Sequence, residues 1–301
     1  MTSASLVSFG IDVGGHDKGS DIAEIQWSAS GDNIHSVRFH RLPSRHRDGC
    51  ALIDADAVRT LVAKGDVEQL ATVTYPAAQY IATRVRNIVG DCPAQAIAID
   101  CPSGFSRNVL GHGRATEKIQ KQFGLVKPFS VSFQSTPSLH CQREHGGSWV
   151  WMILGMALFA SLRDVRKEMD ESEWHDFLAD GPDEQGPLEA FPSATVQYLR
   201  QQRNADAIAR IRHLIGSMEA SEDQGRDVLV RAKNCLLMAL INGPKPLDDR
   251  TAALIAALST LPSVFPEHYA PVRMVPDAAR RLKHQTSGRG REGVVTMIGL
   301  A

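Results

Sequence analysis

The sequence predicts an α/β fold built around one mixed β-sheet. Three strand-like runs, Leu6–Val13, Ile22–Ser28 and Ile34–Leu42, follow one another at the start of the chain, and a strong hairpin signal (SGDN, residues 30–33) separates the last two. Helical and strand patterns then alternate in the order β-β-β-α-β-α-β-α, with extra helices, and this alternation favours parallel strands. We therefore expect an antiparallel three-strand meander joined by parallel strands and flanked by helices.

Apolar residues three and four positions apart mark the helices. The first is expected to begin at Asp54 and to run through Val62, and the second to begin after a turn at Pro76 and to stop at Gly90. The other helical segments are Arg114–Phe123, about Ser148 to Met169, Ala194–Gln202, Asp206–Ser217, Arg226–Ile241 and Asp248–Leu261.

Three shorter runs predict the remaining strands. Ala96–Asp100 is a compact apolar run that ends in an acid before a Pro-Ser-Gly turn, which indicates a buried central strand. Leu188–Pro192 predicts a short strand and Gly293–Ile298 the last one. Because the sequence has no internal repeat and no low-complexity linker, we expect a single domain over residues 1–301, with a helical insertion at about 146–185.

Composition excludes several classes of protein. The 301 residues include 33 Lys+Arg and 34 Asp+Glu, so the near-zero net charge of −1 argues against a histone-like binder. A hydrophobic fraction of 43% is enough to form a core and excludes wholesale disorder. The five cysteines are odd in number and form no C-x-x-C pair, which favours free thiols in a reducing compartment.

We expect a cytoplasmic protein that does not enter the membrane. The N-terminus lacks the basic and apolar regions of a signal peptide. The longest apolar stretch, Ser148–Leu162, is shorter than the roughly 20 residues that a membrane-spanning helix needs. Its tryptophan-containing face favours a core helix, and the alternative is the contact face of a homodimer.

Acidic residues end or begin several of the predicted elements. Asp12 ends the first strand and Asp100 the fourth, Glu189 lies in the short strand, and Asp248 and Asp249 open an alanine-rich helix. If the first and fourth strands are neighbours, Asp12 and Asp100 project from one sheet edge, where the helix would add a third carboxylate. Mg²⁺ and Mn²⁺ take carboxylate oxygens, and two such ions about 4 Å apart assist phosphodiester hydrolysis. Each acid alone is equally consistent with capping a turn or a helix.

Four motifs in this chain occur in the order typical of one family. They are GIDVGG at residues 10–15, AIDCPSG at 98–104, RATE at 114–117 and EAFP at 189–192. Their order and spacing resemble the predicted-nuclease family called domain of unknown function 429, of the ribonuclease H-like superfamily. REGVV at 291–295 is similar to that family's closing strand, so the resemblance runs from about Leu6 to Met297. It implies a ribonuclease H-like sheet and metal-dependent hydrolysis of nucleic acid.

The resemblance also implies roles for individual residues. Asp12, Asp100 and either Asp248 or Asp249 would be the catalytic acids, with Asp12, Asp100 and Asp248 holding Mg²⁺ or Mn²⁺. The further catalytic candidates are Glu117 and Glu189, and Arg114 is a candidate phosphate clamp. The chain departs from the pattern in two places: Thr251 stands where resolvase-type members have a second acid, and Glu117 where an aspartate is expected.

A basic cluster offers a further contact for nucleic acid. Arg38 and Arg41 lie in the third predicted strand and Arg45 and Arg47 in the loop after it, and a second cluster occupies residues 273–291. Such residues bind phosphates in a salt-dependent manner, although for either cluster alone a solvated surface is the simpler explanation. Arg38 and Arg41 are therefore candidate substrate-binding residues.

Two other classes of function remain open. Gly10–Gly15 also resembles the first phosphate loop of the actin and sugar-kinase fold, which would make the chain an ATP-binding phosphotransferase. Against this, residues 100–104 make a poor second phosphate loop, because Pro102 removes an N–H donor. The third possibility is a non-catalytic binding or scaffold protein of the same fold.

Overall fold

A five-stranded mixed sheet organises the part of the chain that the computed structural model describes. That part comprises residues 7–15, 18–28, 33–46, 49–90, 95–104, 149–162, 187–201, 205–221, 226–243 and 247–260. The strands are β1 (Val7–Asp12), β2 (Ser20–Trp27), β3 (Ile34–Leu42), β4 (Gln95–Asp100) and β5 (Leu188–Ala190).

The strand order is β3-β2-β1-β4-β5. β2 pairs antiparallel with both β1 and β3, whereas β4 pairs parallel with both β1 and β5. The prediction of an antiparallel meander extended by parallel strands is therefore confirmed.

Seven helices are described around the sheet. They are α1 (Ala55–Lys64), α2 (Val67–Val89), α3 (Trp149–Ser161), α4 (Pro192–Gln201), α5 (Ala205–Ser217), α6 (Arg226–Asn242) and α7 (Asp249–Leu258). None of them is long and apolar enough to cross a membrane.

Each face of the sheet is covered by its own set of helices. Because side chains alternate along a strand, Phe9 and Ile11 of β1 point with Ile99 of β4 towards α2 and α3, where they form one core. On the opposite face, β2 and β3 pack against α4, α5, α6 and α7 in a second core. The described apolar residues of α3 are almost all buried in the first core, so this helix is a core element, as its sequence favours.

The close packing of α7 against β1 positions the candidate site. Gly10 leaves no room for a side chain, since an added Cβ would lie 2.0 Å from the carbonyl oxygen of Ala253 and 2.2 Å from the amide nitrogen of Ala257. A buried hydroxyl pair also joins β1 to the turn that follows α7. Oγ1 of Thr260 lies 2.7 Å from Oγ of Ser8, which accepts a hydrogen bond of 2.8 Å from Nε1 of Trp27.

The prediction that the second helix begins after a turn at Pro76 is wrong. α2 begins nine residues earlier, at Val67, where the side chain of Asp66 accepts the N–H of Gln69 and caps the helix. Pro76 lies inside the helix, on its exposed side. Although an internal proline costs about 3 kcal/mol, the buried face of α2 continues on both sides of it and outweighs that cost.

Pro192 begins a helix rather than ending a strand. β5 stops at Ala190 and α4 starts at Pro192. Proline is favourable at the first helical position because its missing N–H would have no partner there. The other described elements confirm the predicted type, with bounds within a few residues, except that α3 ends at Ser161 where the helix was predicted to run to about Met169.

Several predictions lie outside the described residues. They concern Arg114, Glu117, the helix at 114–123, Arg47, the basic cluster at 273–291, the strand at 293–298, and the parts of the helical insertion outside 149–162.

Candidate active site

The register of the sheet aligns three aspartates at one end of the central strands. Asp12 of β1 pairs with Asp21 of β2 on one side and with Asp100 of β4 on the other. Neighbouring strands lie about 4.8 Å apart, and residues paired across strands share a face. The three side chains therefore project from the same sheet edge, on the face that Gly10 presents to α7.

The N-terminus of α7 brings two more acids to this edge. Asp248 caps the helix, since its Oδ1 accepts the N–H of Thr251 at 2.8 Å. Asp249 lies in the first turn of the helix. Among the charged neighbours of Asp12 it has the largest effect on the pKa of that carboxyl, larger than the effect of Asp248. The capping role occupies an oxygen of Asp248, while Asp249 faces the row of aspartates.

Burial and mutual repulsion raise the pKa values of the central acids. Burial, together with repulsion from Asp249, raises the pKa of Asp12 to about 7, although Arg41 and Lys18 partly offset the increase. Burial also raises the pKa of Asp100 well above its usual range, with repulsion from Asp12 and Glu189 adding to the effect. Within the described part of the chain, no hydrogen bond or ion pair compensates the carboxylate of Asp12 or of Asp100. An acid in this state favours either a proton or a cation.

Asp21 is the acid that the sequence analysis missed. Its side chain is only 2% exposed, and its Oδ2 accepts a hydrogen bond from Arg41. Nη1 of Arg41 also lies 3.5 Å from Oδ2 of Asp249, and Nε of Arg250 lies 3.6 Å from Oδ1 of Asp21. Arg41 therefore links a buried carboxylate on β2 to an acid at the start of α7, and it holds positive charge beside the site.

Glu189 lies near the aspartates but not in their row. It pairs with Ile99, whose side chain lies in the core on the other face, whereas Asp100 pairs with Ala190. Oε2 of Glu189 accepts the backbone N–H of Ser103 at 2.9 Å. Glu189 thus holds the turn that follows β4, and repulsion from its charge helps to raise the pKa of Asp100.

The predicted pair of substrate-binding arginines is divided between the two faces. Arg38 pairs with Glu24 on the face opposite Arg41, and its Nη2 donates to Oγ of Ser221 at 2.9 Å. Only Arg41 lies beside the aspartates, so the structure does not bring Arg38 to the candidate site.

This chain matches no protein-family model, no curated protein and no solved structure.

The donor chemistry of the site fits a hard divalent cation. Asp12, Asp100 and Asp249 offer carboxylate oxygens, the ligands that Mg²⁺ and Mn²⁺ prefer, and the carboxylates of Asp12 and Asp100 form no hydrogen bond or ion pair with the described residues. As the side chains stand, no three acids, histidines or cysteines among the described residues group closely enough to enclose a metal ion. Occupation of the site would therefore require the carboxylates to turn towards a common centre.

The glycines after β1 have a structural explanation. An added Cβ on Gly14 would lie 2.3 Å from the carbonyl oxygen of Gly19, and one on Gly19 would lie 2.0 Å from that of Leu42. The chain's own backbone fills the space that these glycines leave open. The packing therefore accounts for Gly14 and Gly19 without a phosphate loop.

Proposed function

We propose that this protein is a Mg²⁺- or Mn²⁺-dependent nuclease of the ribonuclease H-like fold that hydrolyses phosphodiester bonds in nucleic acid. The observation that carries the proposal is the juxtaposition of Asp12 and Asp100 on paired parallel strands with Asp249 opposite them. The strand order and directions are compatible with a ribonuclease H-like sheet.

Three acids would hold the metal in this proposal. Asp12 and Asp100 supply carboxylates from the sheet, and Asp249 rather than the helix-capping Asp248 supplies the third. A divalent metal bound there would stabilise charge on the attacking and leaving oxygens of the phosphodiester. The raised pKa values favour the proposal because a cation relieves the same repulsion that a proton relieves.

Neighbouring residues keep these acids in place. β4 is a central strand, so its hydrogen bonds on both sides fix the backbone of Asp100. The bond from Ser103 to Glu189 anchors the turn immediately after Asp100. Arg41 pairs with Asp21 and Asp249 and reduces the negative charge that an approaching phosphodiester meets.

The test is a cleavage assay on fluorescent single- and double-stranded DNA and RNA, with Mg²⁺, Mn²⁺ or EDTA. We expect cation-dependent cleavage by the wild type and a loss of at least about 100-fold in the Asp100→Asn variant, a loss typical of removing one strong electrostatic contribution to the transition state. Asp56→Asn is the matched control, since Asp56 is exposed on α1 and pairs with its helix neighbour Arg59, away from the strand acids. Cleavage that survives in EDTA or in Asp100→Asn would contradict the proposal, and no cleavage by the folded wild type would favour the scaffold alternative.

A further inference from the structure

A groove beside the aspartates is lined by three arginines. It has a volume of about 340 Å³ and lies between the first turns of α6 and the N-terminus of α7. Arg41, Arg231 and Arg250 contribute its positive charges, and Val228 and Ala232 of α6 contribute an apolar patch. Asp249 lines the same groove, so the groove is continuous with the candidate active site.

The three arginines differ in how far they are neutralised. Arg41 and Arg250 flank the buried carboxylate of Asp21, and each remains 44% exposed. Arg231 is exposed, and no ion pair joins it to any of the residues that the structure describes. Arg231 is therefore the guanidinium that is most available to an anion entering the groove.

The balance of charge along the groove limits how much negative charge a bound ligand can carry. Asp21, Asp248 and Asp249 match the three arginines in number. A phosphodiester group carries one negative charge, which one available guanidinium satisfies. A free triphosphate carries several charges and would meet the carboxylates of Asp248 and Asp249 at close range, so the lining favours a diester.

We infer that this groove is a subsite for a phosphate of a nucleic-acid strand, next to the phosphate that is cleaved, with Arg231 as its principal contact. The inference rests on the proposed nuclease function, because it makes the groove the path of the strand to Asp12, Asp100 and Asp249. The volume lies within the roughly 300–1,000 Å³ of small-ligand sites, enough for one nucleotide unit. The apolar patch on α6 gives the sugar a surface to lie on.

The test measures binding separately from cleavage. Fluorescence anisotropy of a labelled single-stranded oligonucleotide is recorded in EDTA over a series of salt concentrations, with Asp100→Asn as the parent protein so that no hydrolysis occurs. Adding Arg231→Gln should weaken binding about 10-fold at low salt and lower the magnitude of the salt slope by about 0.7, the value for one lost phosphate contact on a single strand. Arg212→Gln, an exposed position on α5 outside the groove, should change neither quantity.

Each result has a defined consequence. An Arg231→Gln variant with the parent's affinity and salt slope would overturn the inference. Preferential, Arg231-dependent binding of ATP over the oligonucleotide would also overturn it, because a free nucleotide would then be the ligand. Arg231-dependent binding of the strand, with no cleavage by the wild type in any metal, would support the subsite and contradict only the nuclease proposal.

Discussion

Replacement of Gly10 by alanine tests the close packing that places α7 beside the strand acids. The new Cβ would lie 2.0 Å from the carbonyl oxygen of Ala253, whereas real Cβ atoms essentially never approach within 3.0 Å of a non-bonded atom elsewhere in the fold. The atoms in contact belong to the backbone of α7 and cannot rotate away. The helix must therefore move away from β1 by about 1 Å, a distance that an already close-packed core does not absorb.

The expected cost is about 3 kcal/mol of unfolding free energy, at the upper end of the range for overpacked cores, because backbone rather than a side chain must give way. Moving α7 also draws Asp249 away from Asp12. Gly10→Ala should therefore lose much of any stabilisation by Mg²⁺ as well as stability in EDTA.

Urea denaturation followed by circular dichroism measures the loss, with Gly216→Ala as the matched control. Gly216 lies in α5, and an added Cβ there meets nothing within 4 Å. This second variant should gain about 0.5–1 kcal/mol, because alanine is the better helix former. A Gly10→Ala protein as stable as the wild type would refute the proposed contact between α7 and β1.

Three further predictions concern the charged residues of the site. Because the pKa of Asp12 rises from 3.8 to about 7 on folding, the folded state binds the proton more tightly than the unfolded state does. The unfolding free energy should therefore fall as the pH rises from about 4 to about 7. Urea titrations at several pH values should show a smaller fall for Asp12→Asn than for the wild type. Asp248→Ala should cost about 1 kcal/mol in the same assay through loss of the helix cap, whereas Asp249→Ala should cost less because it removes repulsion from Asp12. Arg41→Gln should lower the unfolding free energy by about 3 kcal/mol, because among the described residues it leaves the buried Asp21 with Arg250 at 3.6 Å as its remaining cationic neighbour; a loss below 0.5 kcal/mol would contradict the network.

The sheet could largely be predicted from local patterns. β3 has the predicted bounds, Ile34–Leu42, because the alternation around Val37 and Phe39 matches the two-residue period of a half-buried strand. The placement of Asp12 and Asp100 at the ends of apolar runs also predicted their common edge, once their strands are neighbours. Strand neighbourhood itself is a tertiary property and had to be assumed.

Two features of the site were missed although the sequence contained a signal. Asp21 was missed because β2 was predicted to start at Ile22, whereas the strand begins at Ser20 and pairs Asp21 with Asp12. Arg38 and Arg41 are three positions apart in a strand, which places them on opposite faces. In both cases the two-residue period of a strand would have found the answer.

Other features depend on contacts distant in sequence. The face on which Glu189 lies is set by the register of β5 against β4. α2 continues through Pro76 because the face of the helix opposite this proline is buried, and local helix propensity does not predict that burial.

The most direct test of the central claim is thermal unfolding of the wild type and Asp100→Asn, each in EDTA, Mg²⁺ and Mn²⁺ at pH 8. We predict that the cations stabilise the wild type by up to about 2.7 kcal/mol at 100 times the dissociation constant. Asp100→Asn should be more stable than the wild type in EDTA, because it removes a buried charge repelled by Asp12 and Glu189, and it should not respond to either cation. An equal response in both proteins, or no response in the wild type, would contradict a metal site at Asp100.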